Sequence, residues 1–595
     1  MTARTAALAL AIAAWCCFAT AAIVSALGAI SLEIIALSIS GPTRLFMTAA
    51  LLLGTALFVR GPRPLLHDLG ASPAPYAASA AFAAFLLVVL LATRGAVSVG
   101  GADSAGYLAQ AARWNAGAVR VPLPLDIAGL PDAAWRQSGL GFRPAPDGAA
   151  TVPIYPPGLP WLQAVALRMG GEAAAVRTLP LLAALAAIAA AYALALPHGG
   201  APAAALTAIA LASAPPFLFQ ALQPMSDVPA LAAWLLALAL AARSGRAALV
   251  ATALATFVAI AIRPNLAPLA LPVCWQAYIG RRAGPSAWRA ASVVLTGASA
   301  AIALVAAAQH ELYGSALQSG YGGASELFAI THLPTNVARY TAWLHEAFGP
   351  PALALLVVGA LLLTVHAVRD PRHQPMLSMA VLTIALYLVY VPFDSWTYLR
   401  FMLIALAILP VGVTSLLQPA THAPDDDARG AQEGGAGRWS WRFPMCCASI
   451  LIVAIPNLQR ARQLGVFDVR SRELRYEAAG TFVRDRLPGD AVIVAAQHSA
   501  SASYYSGRPV VRLDLLDPAA FATIAAWSVQ ERRPLAFVLD VAEVEPLAAH
   551  LVGALDWPPR AEIGRPVTTR IWLSTDRDAY RSGEPIGTTR ITATP

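Results

Sequence analysis

The chain is short of charge. Of its 595 residues only 12% are Asp, Glu, Lys or Arg, against 58% hydrophobic, whereas a water-soluble domain carries about a quarter charged. Lysine is missing altogether. All 41 basic residues are arginine, which excludes a Schiff-base lysine and a P-loop. Cysteine is scarce too: Cys16, Cys17, Cys274, Cys446 and Cys447 all stand in apolar stretches, none with zinc-like spacing to histidine. Neither a disulfide framework nor a zinc site is expected. The shortage of charge is also uneven. Residues 459–595 hold 17 Arg and 16 Asp plus Glu, 33 of the 74 charges, and residues 1–458 hold the other 41. That distribution excludes a single globular domain and a disordered chain, and implies a long membrane-embedded part followed by a water-exposed module.

What fills the apolar part is a series of runs long enough for the hydrocarbon core of a bilayer, roughly 20 residues each. Candidate spans are 6–32, 45–59, 76–93, 174–197, 202–220, 228–242, 247–262, 264–280, 290–308, 350–368, 376–393, 399–417 and 443–458. The expectation is a polytopic α-helical membrane protein of about thirteen transmembrane helices. The first run is too long for a signal h-region and shows no small-residue cleavage site, so it reads as a retained anchor.

Arginines in the short loops set the orientation. With the N-terminus cytoplasmic, the inner loops carry Arg60, Arg63, Arg243, Arg246, Arg281, Arg282, Arg289, Arg369, Arg372, Arg429, Arg438 and Arg442. The short outer connections carry only Arg44, Arg263 and Arg400. Loop 94–173, loop 309–349 and the tail after 459 then lie on the outer face. The stretch 418–440, with Asp425, Asp426 and Asp427 and a Gly-rich end, reads as a disordered cytoplasmic loop. The net charge of +8 is read as this orientation signal, not as a nucleic-acid site.

Mid-span positions are almost free of charge, unlike those of an ion-coupled transporter. Glu33, Arg177, Asp227, Arg263, Asp394 and Arg400 instead fall near outer span ends. Polar groups gathered on one face suit chemistry on a lipid-borne substrate. Within loop 94–173, Asp103 opens a short helix whose Tyr107, Ala111 and Trp114 share a face and suit the lipid interface. Asp103 has two readings there: a helix N-cap, or a carboxylate placed to accept a proton. Farther on, Tyr155-Pro-Pro-Gly-Leu-Pro160 makes a stiff turn before a second interfacial helix with Trp161. The histidines His310, His332 and His345 have no ligand spacing.

An ordered set of motifs carries a family resemblance. Asp103, Tyr155-Pro-Pro-Gly-Leu-Pro160, Pro224-Met-Ser-Asp-Val-Pro229, Arg263-Pro-Asn265, Leu312-Tyr-Gly-Ser315 with Ser319-Gly-Tyr321, and Tyr398-Leu-Arg-Phe401 together resemble bacterial GT-C glycosyltransferases. The branch they look closest to contains protein O-mannosyltransferases and lipid A aminoarabinose transferases (glycosyltransferase family 39-like). The resemblance spans about residues 76–417. Residues 1–75 are then additional N-terminal helices, 76–458 the catalytic membrane module, and 459–595 an extracytoplasmic domain.

The resemblance implies sugar transfer from a polyprenyl-phosphate donor at the outer face of the bacterial cytoplasmic (inner) membrane. The acceptor would be a glycan, lipid or protein, and no nucleic acid is involved. Asp103 occupies the position of the catalytic base. Relatives often pair it with a second acid, whereas Ser104 follows here, so Asp227 is the candidate second carboxylate; its other reading is an N-cap. Arg263 and Arg400 are candidates for the donor phosphate, since a guanidinium binds phosphate oxygens in pairs; each also reads as a snorkelling interfacial arginine. Tyr155 and Tyr321 are candidate substrate contacts. No cofactor is implied with certainty. Some GT-C enzymes use a divalent metal, but the outer acidic residues are too dispersed to argue for one.

The tail alternates helical stretches at 470–487, 518–532 and 543–554 with strand patterns at 491–496, 509–513, 535–539 and 568–574, so it reads as an α/β domain with a mainly parallel sheet. Its Gln497-His498-Ser499 has no acid partner that the sequence assigns. Two other functions fit the composition: a transporter or flippase of lipid-linked glycans, and a non-catalytic membrane scaffold.

Overall fold

A computed structural model describes residues 2–27, 30–32, 37–39, 42–281, 284–417, 442–547, 550–551 and 555–592. Glu33 and the acidic stretch 418–440 lie outside the described residues.

Among the described residues, eight helices are long and apolar enough to cross a membrane: Ala3–Ser25, Pro42–Arg60, Ala74–Arg94, Gly158–Ser213, Pro285–Tyr313, Pro350–Arg369, Trp396–Val413 and Phe443–Gln463. Two further apolar helices, Asp227–Ala241 and Arg246–Ile262, are shorter. The expected run 174–197 and residues 202–213 of the run 202–220 share one long helical stretch, and a separate helix, Pro215–Ala221, follows. The long stretch is interrupted where Gly200 takes φ 69° and ψ −166°, a conformation open to glycine and strained for other residues. Pro264 and Pro268 shorten the expected run 264–280 to a 3-10 turn, Pro264–Leu269, followed by the helix Ala270–Ile279, because proline supplies no backbone N–H.

The long helices leave large apolar side chains uncovered: Phe58 is 92% exposed, Met169 and Val368 82% each. Side chains of this size meet lipid without cost but would be a liability in water. The core lies among the helices, around Trp234, Phe217, Leu231 and Tyr387, all below 2% exposed. The short helix Asp227–Ala241 is buried along nearly its whole length, so its first turn opens from inside the bundle.

Residues 469–591 form helices around a six-stranded sheet. Its order is Thr589–Ile591, Ala561–Ile563, Thr569–Leu573, Leu535–Asp540, Val492–Ala495, Val510–Arg512. Three pairings are parallel and two antiparallel, so the sheet is mixed, with parallel pairings in the majority. The antiparallel pairs arise because Thr569–Leu573 turns back beside Ala561–Ile563 after a five-residue loop.

The loop 94–173 packs on this sheet domain. Leu125, Ile127 and Leu130 share a buried cluster with Val494, Phe521 and Trp572, and Arg136 pairs with Asp517 at 3.2 Å. Loop 309–349 meets the same loop, with Tyr313 Oη donating to the Pro153 carbonyl (2.8 Å) and Arg143 to the Ser319 carbonyl (3.2 Å). The three segments expected on one face are therefore in mutual contact.

The helix Asp103–Asn115 is packed in protein along most of its length. Residues Ser104 to Ala111 are buried in protein, with Trp114 beside Trp161 (6.2 Å between ring centroids) and Asn115 bonded to the Ala164 carbonyl. The aromatic face that suits a headgroup layer is covered here by the helix beginning at Gly158.

Candidate active site

The site is built at two helix starts. Asp103 is the first residue of its helix, but the N-cap is Ala102 and no side chain caps the turn. The carboxylate is used elsewhere. Its Oδ2 lies 3.0 Å from Arg400 Nη1, and its Oδ1 accepts from Tyr155 Oη at 3.3 Å. Asp227 likewise follows its N-cap, Ser226, and accepts from Arg263 Nη2 at 2.6 Å. For neither acid does the side chain make an N-cap bond. A carboxylate in the first turn still gains from the helix dipole.

Neutral groups join the two pairs into one cluster. Tyr107 Oη donates to Ser226 Oγ (3.0 Å), which also accepts from Arg263 Nε and Nη2 (3.3 Å each). The Tyr107 and Tyr155 rings lie 4.1 Å apart between centroids, and Tyr321 stands edge-on to Tyr155 at 6.1 Å. Both guanidiniums approach the Phe401 ring, Arg263 at 5.3 Å and Arg400 at 5.2 Å from its centroid, where the negative ring face attracts cations. Tyr387 stacks on the same ring at 4.6 Å and accepts from Arg263 (3.2 Å) and Asn265 (3.0 Å).

The cluster is graded from closed to open. The Asp227 side chain is 0% exposed, and its Oδ2 is enclosed without a hydrogen-bond partner in the protein. The Asp103 side chain is 30% exposed, and Tyr321 is 46% exposed. Tyr155 is buried, its Oη donating also to the Ala102 carbonyl at 2.7 Å. Burial, and then the adjacent Asp103 carboxylate, push the Tyr155 hydroxyl well above its ordinary pKa, so it stays a donor. Tyr155 thus backs Asp103 and does not offer an open ring face. Tyr321 is the aromatic at the open side.

All six sequence candidates, Asp103, Asp227, Arg263, Arg400, Tyr155 and Tyr321, are brought together. Arg177 and Asp394 are exposed, and neither is among the side chains that bond within this cluster. Sequence reasoning missed Ser226, Tyr387 and Phe401, although Ser226 and Phe401 stand inside quoted motifs. Their signal was position beside a charged residue, with no charge of their own. Among the described residues no three His, Cys, Asp or Glu side chains gather as a metal site; Asp103 and Asp227 are each taken up by an arginine.

His498 does acquire an acid partner: its Nε2 lies 2.9 Å from Asp540 Oδ1. It is fully buried, and Asp540 also accepts from Arg475 and Thr569, an arrangement of structure with no access for a substrate.

No protein-family model matches the chain, and neither does any curated protein. Solved structures do resemble it. ArnT from Cupriavidus metallidurans, bound to undecaprenyl phosphate, is 14% identical at a TM-score of 0.47, covering 84% of this chain and 98% of that one. The oligosaccharyltransferase of Archaeoglobus fulgidus in its apo form is 12% identical at 0.49, covering 80% and 71%. Arabinofuranosyltransferase AftD from Mycobacteria is 13% identical at 0.43, covering 82% of this chain and 39% of that one. These three structures are of GT-C superfamily membrane glycosyltransferases, and none reaches a TM-score of 0.5 against this chain.

Proposed function

We propose that this chain is an integral-membrane glycosyltransferase that moves a sugar from a polyprenyl-phosphate-linked donor to an acceptor hydroxyl, with Asp103 as general base. The observation that carries the reading is the meeting of two carboxylate–guanidinium pairs from distant stretches, Asp103–Arg400 and Asp227–Arg263, where loops 94–173 and 309–349 join. The open pair has the two groups such a transfer needs: a base for the acceptor and a cation for the donor phosphate.

A hydroxyl is a poor nucleophile, so Asp103 takes its proton as the oxygen attacks the anomeric carbon. The carbon–oxygen bond to phosphate breaks, and its electron pair leaves on a phosphodiester oxygen already stable as an anion. No general acid is required. A guanidinium held beside that oxygen stabilises the charge as it develops, the role given to Arg400. Asp227 keeps Arg263 in place behind it, and both supply the static field of the site. Tyr155 orients Asp103, and Tyr321 offers its exposed ring to a sugar. Attack opposite the leaving phosphate inverts the anomeric centre.

The same reading sets the topology. We count about thirteen crossings of a bacterial cytoplasmic membrane, taking the arms on either side of Gly200 separately and Asp227–Ala241, Arg246–Ile262, 264–279 and Gln374–Leu388 as short crossings. The domain after 459 then faces outward. The acceptor is a glycan, a lipid or a protein.

The test is polyprenyl phosphate release in lipid nanodiscs from a panel of polyprenyl-phosphate sugars. Wild type releases it from at least one donor and Asp103→Asn from none. Equal release from both would remove Asp103 from the mechanism. Silence from wild type with every donor, combined with transbilayer movement of a labelled lipid-linked glycan, would replace the enzyme with a flippase.

A further inference from the structure

The segment that leads from the helix Ala74–Arg94 to Asp103 is held along its length by residues of the sheet domain. Arg470 donates to the carbonyls of Ala92 (3.5 Å) and Thr93 (3.1 Å). The Val99 N–H donates to Tyr505 Oη at 2.8 Å. Gly100 lies flat on the Tyr476 ring, so close that a Cβ at that position would sit 1.8 Å from Tyr476 Cδ2. Its φ is not in the left-handed region, so the requirement for glycine is space alone. At Gly101 a Cβ would stand 3.0 Å from Gln497 Nε2.

Tyr476 is itself fixed from behind. Its hydroxyl accepts from Arg475 Nη2 at 2.8 Å, and its ring packs on His498 at 4.5 Å. Arg475 bonds both oxygens of Asp540 (3.2 and 2.8 Å), which also takes His498 and Thr569. Asp540 ends one strand and Thr569 begins its neighbour. Burying so many ionic groups gives weak net stability compared with apolar packing, but it fixes geometry through directional bonds. The fixed point ends on Gly100. From there the turn is closed by Ser104, whose Oγ accepts from the Gly100 N–H (3.0 Å) and donates to the Gly100 carbonyl (2.7 Å). Asp103 is the residue before Ser104.

We propose that the sheet domain is a positioning element for Asp103: Tyr476, anchored on Arg475 and Asp540, presses on Gly100 and sets where the Asp103 carboxylate stands. The inference rests on the reading of Asp103 as base. It gives the tail a function without a second catalytic site. A displacement of about 1 Å at a reacting group can cost about 10²-fold in rate, so the contact is expected to act first on kcat.

The test uses full-length protein in nanodiscs, with kcat and KM from polyprenyl phosphate release and hydrogen exchange across 96–106. Gly100→Ala lowers kcat about tenfold or more with donor KM within about twofold, because the added Cβ meets the Tyr476 ring. Tyr476→Ala lowers kcat as well, and loosens exchange in 96–106 but not in Asp227–Ala241. Tyr476→Phe, which keeps the ring but loses the bond from Arg475, falls between wild type and Tyr476→Ala. The double variant Gly100→Ala/Tyr476→Ala is no worse than Tyr476→Ala alone, the non-additivity expected of residues in contact.

Wild-type kcat in Gly100→Ala, or losses that simply multiply in the double variant, would overturn the proposal. Should Gly100→Ala fail to fold, the pair Tyr476→Phe and Tyr476→Ala decides, equal kcat in both counting against it. Should wild type release nothing from any donor, the functional reading fails on its own. The exchange data then still test whether Tyr476 orders the turn, and unchanged exchange in Tyr476→Ala overturns that.

Discussion

Arg400 Nη1 stands 3.0 Å from Asp103 Oδ2, a contact that closes 297 residues of chain. One partner opens a helix after a membrane span and the other lies in the 3-10 turn Trp396–Met402, so neither backbone alone fixes the pair. The bond is charge-assisted and partly shielded, the setting in which such contacts are strongest. Only Nη1 of the guanidinium is engaged with this acid. A second anion can therefore reach the same group.

Replacing Asp103 by Asn keeps the shape and removes the base. Transfer is expected to fall about 10²- to 10⁴-fold, with donor binding retained. Arg400→Lys keeps a positive charge but loses the planar fork, and its loss is expected in donor KM as well as in kcat. The two variants separate base from phosphate cation by steady-state kinetics on one donor. Identical effects on kcat and KM would show that they do not act separately.

The charged members of the cluster are legible in the sequence because charge is scarce in the apolar runs; their pairing is not. Arg263, Arg400 and Asp227 stood out as polar residues at span ends. Ser226 and Tyr387 did not, being neutral residues whose importance comes from what folds against them. Tyr155 was visible as part of a Pro-rich turn, but the burial that places it behind Asp103 depends on the loop folding back over Gly106. Asp540 as the partner of His498 was out of reach for another reason: sheet order, not spacing, brings residues 42 apart to one point. A break between 197 and 202 is legible in the sequence, but not that the helix resumes directly after Gly200, because glycine and proline in an apolar run mark a kink and a loop equally.

The inner pair predicts a stability effect that can be told from a catalytic one. Asp227 is fully enclosed and Arg263 nearly so. Asp227→Asn leaves a buried guanidinium uncompensated, a change that costs about 3–5 kcal/mol in comparable sites. A lower thermal midpoint in detergent is expected, with partial recovery in Asp227→Asn/Arg263→Gln. A variant as stable as wild type would mean that lipid or water already solvates Arg263.

Tyr321 is held over the open side by its loop, since Arg143 bonds the Ser319 and Gly320 carbonyls. Its exposed ring contributes by contact and does no chemistry. Tyr321→Ala is expected to raise one substrate's KM about two- to tenfold, the scale of an aromatic contact, with kcat nearly unchanged. Tyr321→Phe retains wild-type KM. Loss in both variants would shift the role to the hydroxyl.

Glu473 predicts how the sheet domain answers to pH. Burial pushes its carboxyl up to about 7, against the opposing pull of Arg475 and Arg472 and the Gly100 N–H, while Asp540 adds to the rise. Its Oε2 is enclosed without a hydrogen-bond partner in the protein. Below about 4.5 the group is protonated whether the chain is folded or not, and its contribution to stability is fully present. Between about 4.5 and about 7 the folded chain keeps a proton that the unfolded chain has lost, so stability falls as pH rises. Above about 7 the contribution is gone and the dependence flattens. Glu473→Gln, neutral at every pH, removes this slope and leaves the high-pH form more stable than wild type. Thermal midpoints of the two proteins from pH 4 to 8 check it: parallel curves would mean that Glu473 titrates as it does in water. Because the Gly100 N–H is among the groups that act on Glu473, the same titration is expected in the hydrogen-exchange protection factors of 96–106, corrected for the intrinsic rise of exchange with pH: protection falls above pH 7 in wild type and holds in Glu473→Gln.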